Sequence, residues 1–306
     1  MTARDESPSV CRLLAGWSTN ITRMSTEPFL TPDAHSLSHV MKKPPGPSDL
    51  PSRLRMHTQF ASRFSGEKHD FVVYVPRAFR NDPKRLFPVL YLHDGQNLFD
   101  PETSFIKGHY WRVGETADGL VDAGEIEPLV IVGIYNTGTK RIEEYTPVKD
   151  RRLGGGHADA YGHMVVEELR PFVARHYRTL AGAENCGMGG SSLGGLATLY
   201  LGMRYPDVFG ELAILSPSVW WHERAILRTV EQLRQKTRQH IWLDIGTGEG
   251  RRALTDARAL KRLLLRKGWK QGQDLEYREI EGGKHNEDAW AARVGPMLKF
   301  LFPRRN

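Results

Sequence analysis

The sequence predicts an α/β protein built on a mostly parallel, doubly wound sheet that opens with an antiparallel hairpin. Three observations point there. Short apolar runs ending in glycine or polar residues recur along the chain and alternate with longer stretches of helical period. Those runs are apolar at nearly every position, as expected of parallel strands buried on both faces. Strands alternating with helices call for right-handed crossovers between parallel neighbours. With 306 residues, 40% hydrophobic and 26% charged, the chain suits one large domain and is too apolar for a disordered protein.

Residues 1–53 stand apart from this pattern. They carry Ser, Thr, Pro and Asp without sustained period and run into "KKPPGPSDLP", which holds neither helix nor sheet. A mobile extension is expected over 1–53 and a folded domain over 54–306, with Met24, Met41 and Met56 as alternative starts. The first 25 residues lack the apolar core of a secretory signal. No stretch approaches the ~20 apolar residues that span a bilayer. The expected setting is cytoplasmic, away from membranes.

From residue 54 the elements come in order. "RMHTQFASRF" and "HDFVVYVP" read as strands joined through "SGEK", and "FPVLYLHDG" and "PLVIVGIYN" as the next two. A helix over about 159–177 places Met164, Leu169, Phe172, Val173 and His176 on one face. "NCGMGGSS" is a strand leading into the helical "LATLYLGMRYP", and "GELAILSPS", "HIWLDIGTG" and "DLEYREIEGG" are later strands. Leu260, Leu263 and Leu264 mark a helix over 255–267, with Arg258, Arg262 and Arg266 on its other sides. Trp290, Val294, Met297 and Leu298 mark the closing helix. No long apolar insertion separates "LAILSPS" from "HIWLDIG", so no large lid is expected. There is no internal repeat.

The net charge of +7 comes from arginines spread over many segments, which reads as a solvated surface rather than a nucleic-acid footprint. Cys11 and Cys186 form no disulfide framework and no metal-ligand spacing. His157, Asp159 and His163 allow two ligands on one helical face, but no third is visible, so no metal is expected.

Gly190-Ser191-Ser192-Leu193-Gly194 satisfies G-x-S-x-G between a strand and a helix. That is the setting of a nucleophile elbow in an α/β-hydrolase fold, where a sharp turn exposes the serine hydroxyl and glycines allow close packing. Ser192 is the expected nucleophile, with Ser191 helping to fix the turn. A serine needs a base and the base an orienting acid, which this fold supplies in the order Ser, acid, His. Three histidines lie downstream. His222 comes too early to leave room for an acid, His240 begins a strand, and His285 comes after the last strand, where the base belongs. For the acid, Glu249 in the loop after "HIWLDIG" is favoured over Asp244 within the strand, which remains the alternative. The oxyanion calls for backbone donors, one from Leu193 and one from Gly95 or Gln96 in "HDGQNLFD".

Six ordered segments extend the reading: "VLYLHDGQNLFD", "RIEEYTP", "VEELRPFVARHYRT", "GGSSLGGLATLYLGMRYPDVFGELAILSPSVWW", "DIGTGEG" and "KHNEDAWAARV". Together, from about residue 55 to the C-terminus, they resemble the bacterial putative-esterase family of α/β-hydrolases. That family includes enterochelin-type siderophore esterases and is related to esterase D, feruloyl esterases and mycolyltransferases. The resemblance places the family's serine on Ser192, its histidine on His285 and its acid on Glu249, where many relatives carry Asp. It further implies a basic residue holding an anionic substrate, for which Arg141 is the local candidate, unless Arg141 pairs with Glu143 or Glu144. Trp220 and Trp221 are candidates for lining the substrate pocket, with core packing as the alternative.

These readings imply a serine carboxylic-ester hydrolase acting through an acyl-enzyme on short-chain or polar esters, with no cofactor. Its expected partner is a small-molecule ester, without nucleic acid or membrane, and a homo-oligomer is left open. The alternatives are a siderophore trilactone or feruloyl/carbohydrate esterase, an acyltransferase on the same triad, and a non-catalytic binding protein on this fold.

Overall fold

A computed structural model describes residues 49–305 of the chain. The expectations placed on residues 1–48, including their mobility, Cys11, Met24 and Met41, lie outside the described residues. Leu50–Arg53 form a 3₁₀ turn at the start of the folded part. Arg53 is buried there, donating to the Val75 carbonyl at 3.0 Å and pairing with Asp118.

The hairpin expected at the start is formed by β1 (Leu54–Ala61) and β2 (Lys68–Tyr74), with Leu54 opposite Tyr74 and Ala61 opposite Lys68. Its register shifts between His57 and Phe60, where Gln59 takes φ 58°. β2 pairs antiparallel with β4 (Val130–Ile134), and β3 (Val89–His93) lies parallel between β4 and β5 (Cys186–Ser191). β6 (Glu211–Leu215), β7 (His240–Gly246) and β8 (Leu275–Ile280) continue in parallel. The eight strands run β1-β2-β4-β3-β5-β6-β7-β8. Every residue of β3, β4, β5 and β6 is buried, because helices cover both faces of the parallel part.

The helices are α1 (Ala78–Asn81), α2 (Val113–Asp122), α3 (Arg141–Tyr145), α4 (Ala158–His163), α5 (Arg170–Tyr177), α6 (Leu193–Arg204), α7 (Trp221–Glu231), α8 (Arg251–Lys267) and α9 (Glu287–Leu301). Val113 and Ala117 of α2 and Trp290, Val294, Met297 and Leu298 of α9 join one apolar cluster. Leu196 and Leu199 of α6, Ile226 of α7 and Leu260, Leu263 and Leu264 of α8 join the other. The result is three layers, helix on sheet on helix. α6 is the most deeply buried helix, and a Cβ at Gly202 would stand 2.5 Å from Leu212 of β6. The closing turn of α8 uses Gly268 at φ 106°, the left-handed cap that glycine adopts without strain.

One helix departs from the expected phase. A π turn, Met164–Leu169, sits between α4 and α5. An extra residue in that turn rotates α5 relative to α4, so Leu169, Val173 and Tyr177 face the core. His176, expected on the buried face, is exposed and stacks on Phe172 with ring centroids 4.2 Å apart. Among the described residues, α7 with its connections is the only helix between β6 and β7, and it is not a long apolar insertion. Among the described residues no helix is long and apolar enough to cross a membrane.

Candidate active site

The elbow joins β5 directly to α6. Ser192 has φ 58° and ψ −121°, a backbone region costly for a residue with a Cβ and one that clusters at functional sites. The surroundings hold it there: its N–H donates to the Leu215 carbonyl at 3.1 Å, and its own carbonyl accepts from Leu196 and Ser218 at 3.1 and 3.0 Å. The flanking glycines are required by contact. A Cβ at Gly190 would stand 2.9 Å from the Gly194 backbone and 3.0 Å from His93, and one at Gly194 would stand 3.1 Å from His93.

The Ser192 hydroxyl is 2.9 Å from His285 Nε2 and 3.4 Å from the Ser218 hydroxyl. His285 Nδ1 lies 2.7 Å from Glu249 Oε2. His285 precedes Asn286, whose side chain caps α9 by accepting from Ala289 N–H at 3.0 Å. The Trp290 ring meets the imidazole edge-on, centroids 4.9 Å apart. Glu249 closes the turn after β7, and that turn is tied to the histidine loop: Gly248 N–H donates to Gly283 O at 3.0 Å and Gly282 N–H to the Thr247 hydroxyl at 2.8 Å.

Burial by itself would raise the Glu249 carboxyl. Hydrogen bonds from His285, from the Ser216 hydroxyl at 2.6 Å and from Gly246 N–H at 2.8 Å outweigh it and hold the carboxyl below its ordinary value. Asp244, the alternative acid, meets other partners. Its oxygens accept from Arg293 at 2.8 Å and from the Trp242 indole at 2.7 Å, and burial raises its carboxyl. Glu287, in the first turn of α9, also faces the site, its carboxyl raised by burial and then by Asp94.

The loop after β3 packs against the elbow. Gly95 opens a 3₁₀ turn, and a Cβ there would stand 2.4 Å from the Gly133 backbone, so only glycine fits. Gln96 accepts from Asn136 N–H at 3.3 Å through its side chain. Leu193 starts α6, where its N–H has no intrahelical acceptor. His93 is buried and lowered to about 4 by that burial, so it is neutral.

Arg141 pairs with neither Glu143 nor Glu144. Its guanidinium grips Asp94 bidentately, Nε and Nη2 each at 2.7 Å, and lies over the Tyr145 ring. Of the two tryptophans, Trp220 is 39% exposed whereas Trp221 is 1% exposed and donates its indole N–H to Val148 O at 2.8 Å. Trp221 is thus packed in the core, with its one polar atom satisfied inside the protein. His157, His163 and Asp159 turn to separate partners, Glu143 at 3.5 Å, Glu167 at 2.7 Å and Tyr200 at 2.8 Å.

Ser216, Ser218 and Arg293 also contact the site, and no local signal in the sequence marks them. Ser218 and Ser216 lie in "SPSVWW", which carries no motif of its own. Arg293 sits one position before Val294 in the closing helix, where an arginine reads as a solvent-facing residue; its burial, at 2% exposure, is set by Asp244 and Glu249.

Fold and sequence similarity together define the class, an esterase on an α/β-hydrolase scaffold. The chain belongs to the family described as "Putative esterase", whose model matches residues 62–301. It is 26% identical over 212 residues to the uncharacterized protein YbbA of Bacillus subtilis strain 168, covering 67% of this chain and 77% of YbbA. It is also 26% identical over 202 residues to the ferri-bacillibactin esterase BesA of the same strain, covering 60% of this chain and 66% of BesA. The crystal structure of the BES protein from Bacillus cereus matches with a TM-score of 0.66 and 20% identity, over 87% of this chain and 99% of that one.

Proposed function

We propose that the protein is a serine carboxylic-ester hydrolase in which Ser192, His285 and Glu249 form the catalytic triad. The observation that carries this reading is the continuous contact from Ser192 Oγ to His285 Nε2 at 2.9 Å and from His285 Nδ1 to Glu249 Oε2 at 2.7 Å. His285 Nε2 takes the hydroxyl proton as Ser192 Oγ attacks the ester carbonyl carbon. Glu249, ionised, holds Nδ1–H and stabilises the imidazolium. The carbonyl π electrons move to oxygen, and the oxyanion is met by the N–H of Leu193 and that of Gly95 or Gln96. Collapse expels the alkoxide, which His285 protonates. A water, deprotonated by His285, then releases the acid and restores Ser192.

Short-chain or polar esters are the favoured substrates, because among the described residues no long apolar insertion lies between β6 and β7. Similarity to the ferri-bacillibactin esterase BesA favours siderophore esters among the polar candidates. Trp220, exposed two residues after Ser218, is our candidate for contact with the substrate. Arg141 acts through Asp94 on the oxyanion loop, gripping it with Nε and Nη2.

The test is hydrolysis of p-nitrophenyl esters from acetate to decanoate, with Ser192→Ala alongside. Activity that falls with chain length and disappears in the variant supports the reading. Activity retained in Ser192→Ala removes Ser192 as the nucleophile.

A further inference from the structure

Behind the acid lies a fully buried polar cluster that the triad chemistry does not use. Ser216 comes directly after β6 with φ 42°, a left-handed conformation unusual for serine. Its N–H donates to the Asp244 carbonyl at 3.0 Å. Its hydroxyl oxygen receives Arg293 Nη1 at 2.7 Å and Trp290 Nε1 at 3.1 Å, and lies 2.6 Å from Glu249 Oε1. Arginine and indole nitrogens can only donate. With both of its acceptor positions filled by obligate donors, the Ser216 proton has one destination, Glu249 Oε1.

The same oxygen accepts from Gly246 N–H at 2.8 Å and Arg293 Nη2 at 3.3 Å. Oε1 is saturated as an acceptor and has no room for a proton of its own. Oε2 is left to receive Nδ1–H of His285, which makes Nε2 the acceptor that faces Ser192.

We propose that Ser216 and Arg293 are positioning residues that set the direction of the whole hydrogen-bond chain and thereby the working tautomer of His285. Arg293 is itself aimed by Asp244, so the strand carboxylate acts two bonds behind the acid rather than as the acid. This rests on Ser192, His285 and Glu249 being the triad.

The test compares wild type, Ser216→Ala, Arg293→Lys and Ser192→Ala, measuring kcat, KM and the acid limb of the kcat/KM profile, together with the thermal midpoint. Ser216→Ala is the mild variant, because it leaves the buried ion pairs in place. The charged groups facing His285 and Glu249 are Arg293, Asp244 and Glu287. Removing a donor from Glu249 makes the carboxylate more basic, and the acid limb of the profile is expected at higher pH. The expected result for Ser216→Ala is kcat lower by about tenfold or more with KM unchanged and an acid limb displaced upward, with Arg293→Lys intermediate. A loss of thermal midpoint with kcat and the acid limb unchanged makes Ser216 purely structural and overturns the proposal. If Ser192→Ala keeps its activity, the triad reading itself falls, a result distinct from the other.

Discussion

Glu249 Oε2 lies 2.7 Å from His285 Nδ1, while Asp244, five residues earlier on the same strand-and-turn unit, is paired with Arg293 at 2.8 Å. Two carboxylates so near each other therefore meet different partners. Glu249→Gln is expected to lower kcat by about a thousandfold, since an amide can present the wrong group to the imidazole. Asp244→Asn keeps the His285 contact and is expected to act mainly on stability, by about 2 kcal/mol. Steady-state kinetics and urea titrations on both variants separate these effects, and equal kinetic losses would contradict the assignment.

Arg141, partly exposed, pairs with buried Asp94 at the start of the loop after β3. Burial would raise the Asp94 carboxyl, but the Arg141 charge and its two hydrogen bonds hold it below the ordinary value. A depressed folded value contributes stability that is fully present above the unfolded carboxyl pKa of ~3.9 and is lost as pH falls through the folded one. Arg141→Met is expected to destabilise by about 3 kcal/mol at neutral pH. That gap narrows as pH falls below the unfolded value of ~3.9 and through the lower folded value of Asp94. Denaturation at a series of pH values checks the sign; a gap that widens on acidification would be the wrong one.

The neighbouring tryptophans differ in what they cover. Trp221→Ala empties a core position and is expected to cost about 3–5 kcal/mol. Trp220→Ala removes an exposed ring and is expected to leave stability within about 0.5 kcal/mol while raising KM. Thermal melts with paired KM values decide this, and a normal KM in the Trp220 variant would remove that residue from the substrate site.

Gly190→Ala places a methyl against the Gly194 backbone and His93. It is expected to destabilise by about 2 kcal/mol and to lower activity by displacing the elbow. An active, fully stable Gly190→Ala protein would show that the turn has more room than these contacts allow.

Much of this architecture is legible in the sequence because it rests on local signals. The doubly buried strands announce themselves as unbroken apolar runs, and "GGSSLGG" between a strand and a helix marks the elbow. Elimination by chain order picks out His285, and the same three side chains are brought into contact by the fold. What escapes depends on tertiary partners. The π turn at Met164–Leu169 rotates His176 outward, and nothing in the helical period signals the extra residue. Arg293 reads as surface because a buried arginine is recognisable only once Asp244 and Glu249 are known to meet it. Arg141 has acidic neighbours in sequence, yet its partner Asp94 is brought to it by the loop after β3. Trp220 and Trp221 look equivalent until the turn into α7 points one at solvent and the other at Val148.

Active-site labelling tests directly whether Ser192 is the nucleophile. Treating the protein with a p-nitrophenyl alkylphosphonate and mapping the adduct by peptide mass spectrometry reads the reacting atom itself. The expected result is a single phosphonylated site at Ser192 that appears in step with loss of ester hydrolysis and is absent in Ser192→Ala. An adduct on another residue, or full inactivation with Ser192 unmodified, would exclude Ser192 as the nucleophile.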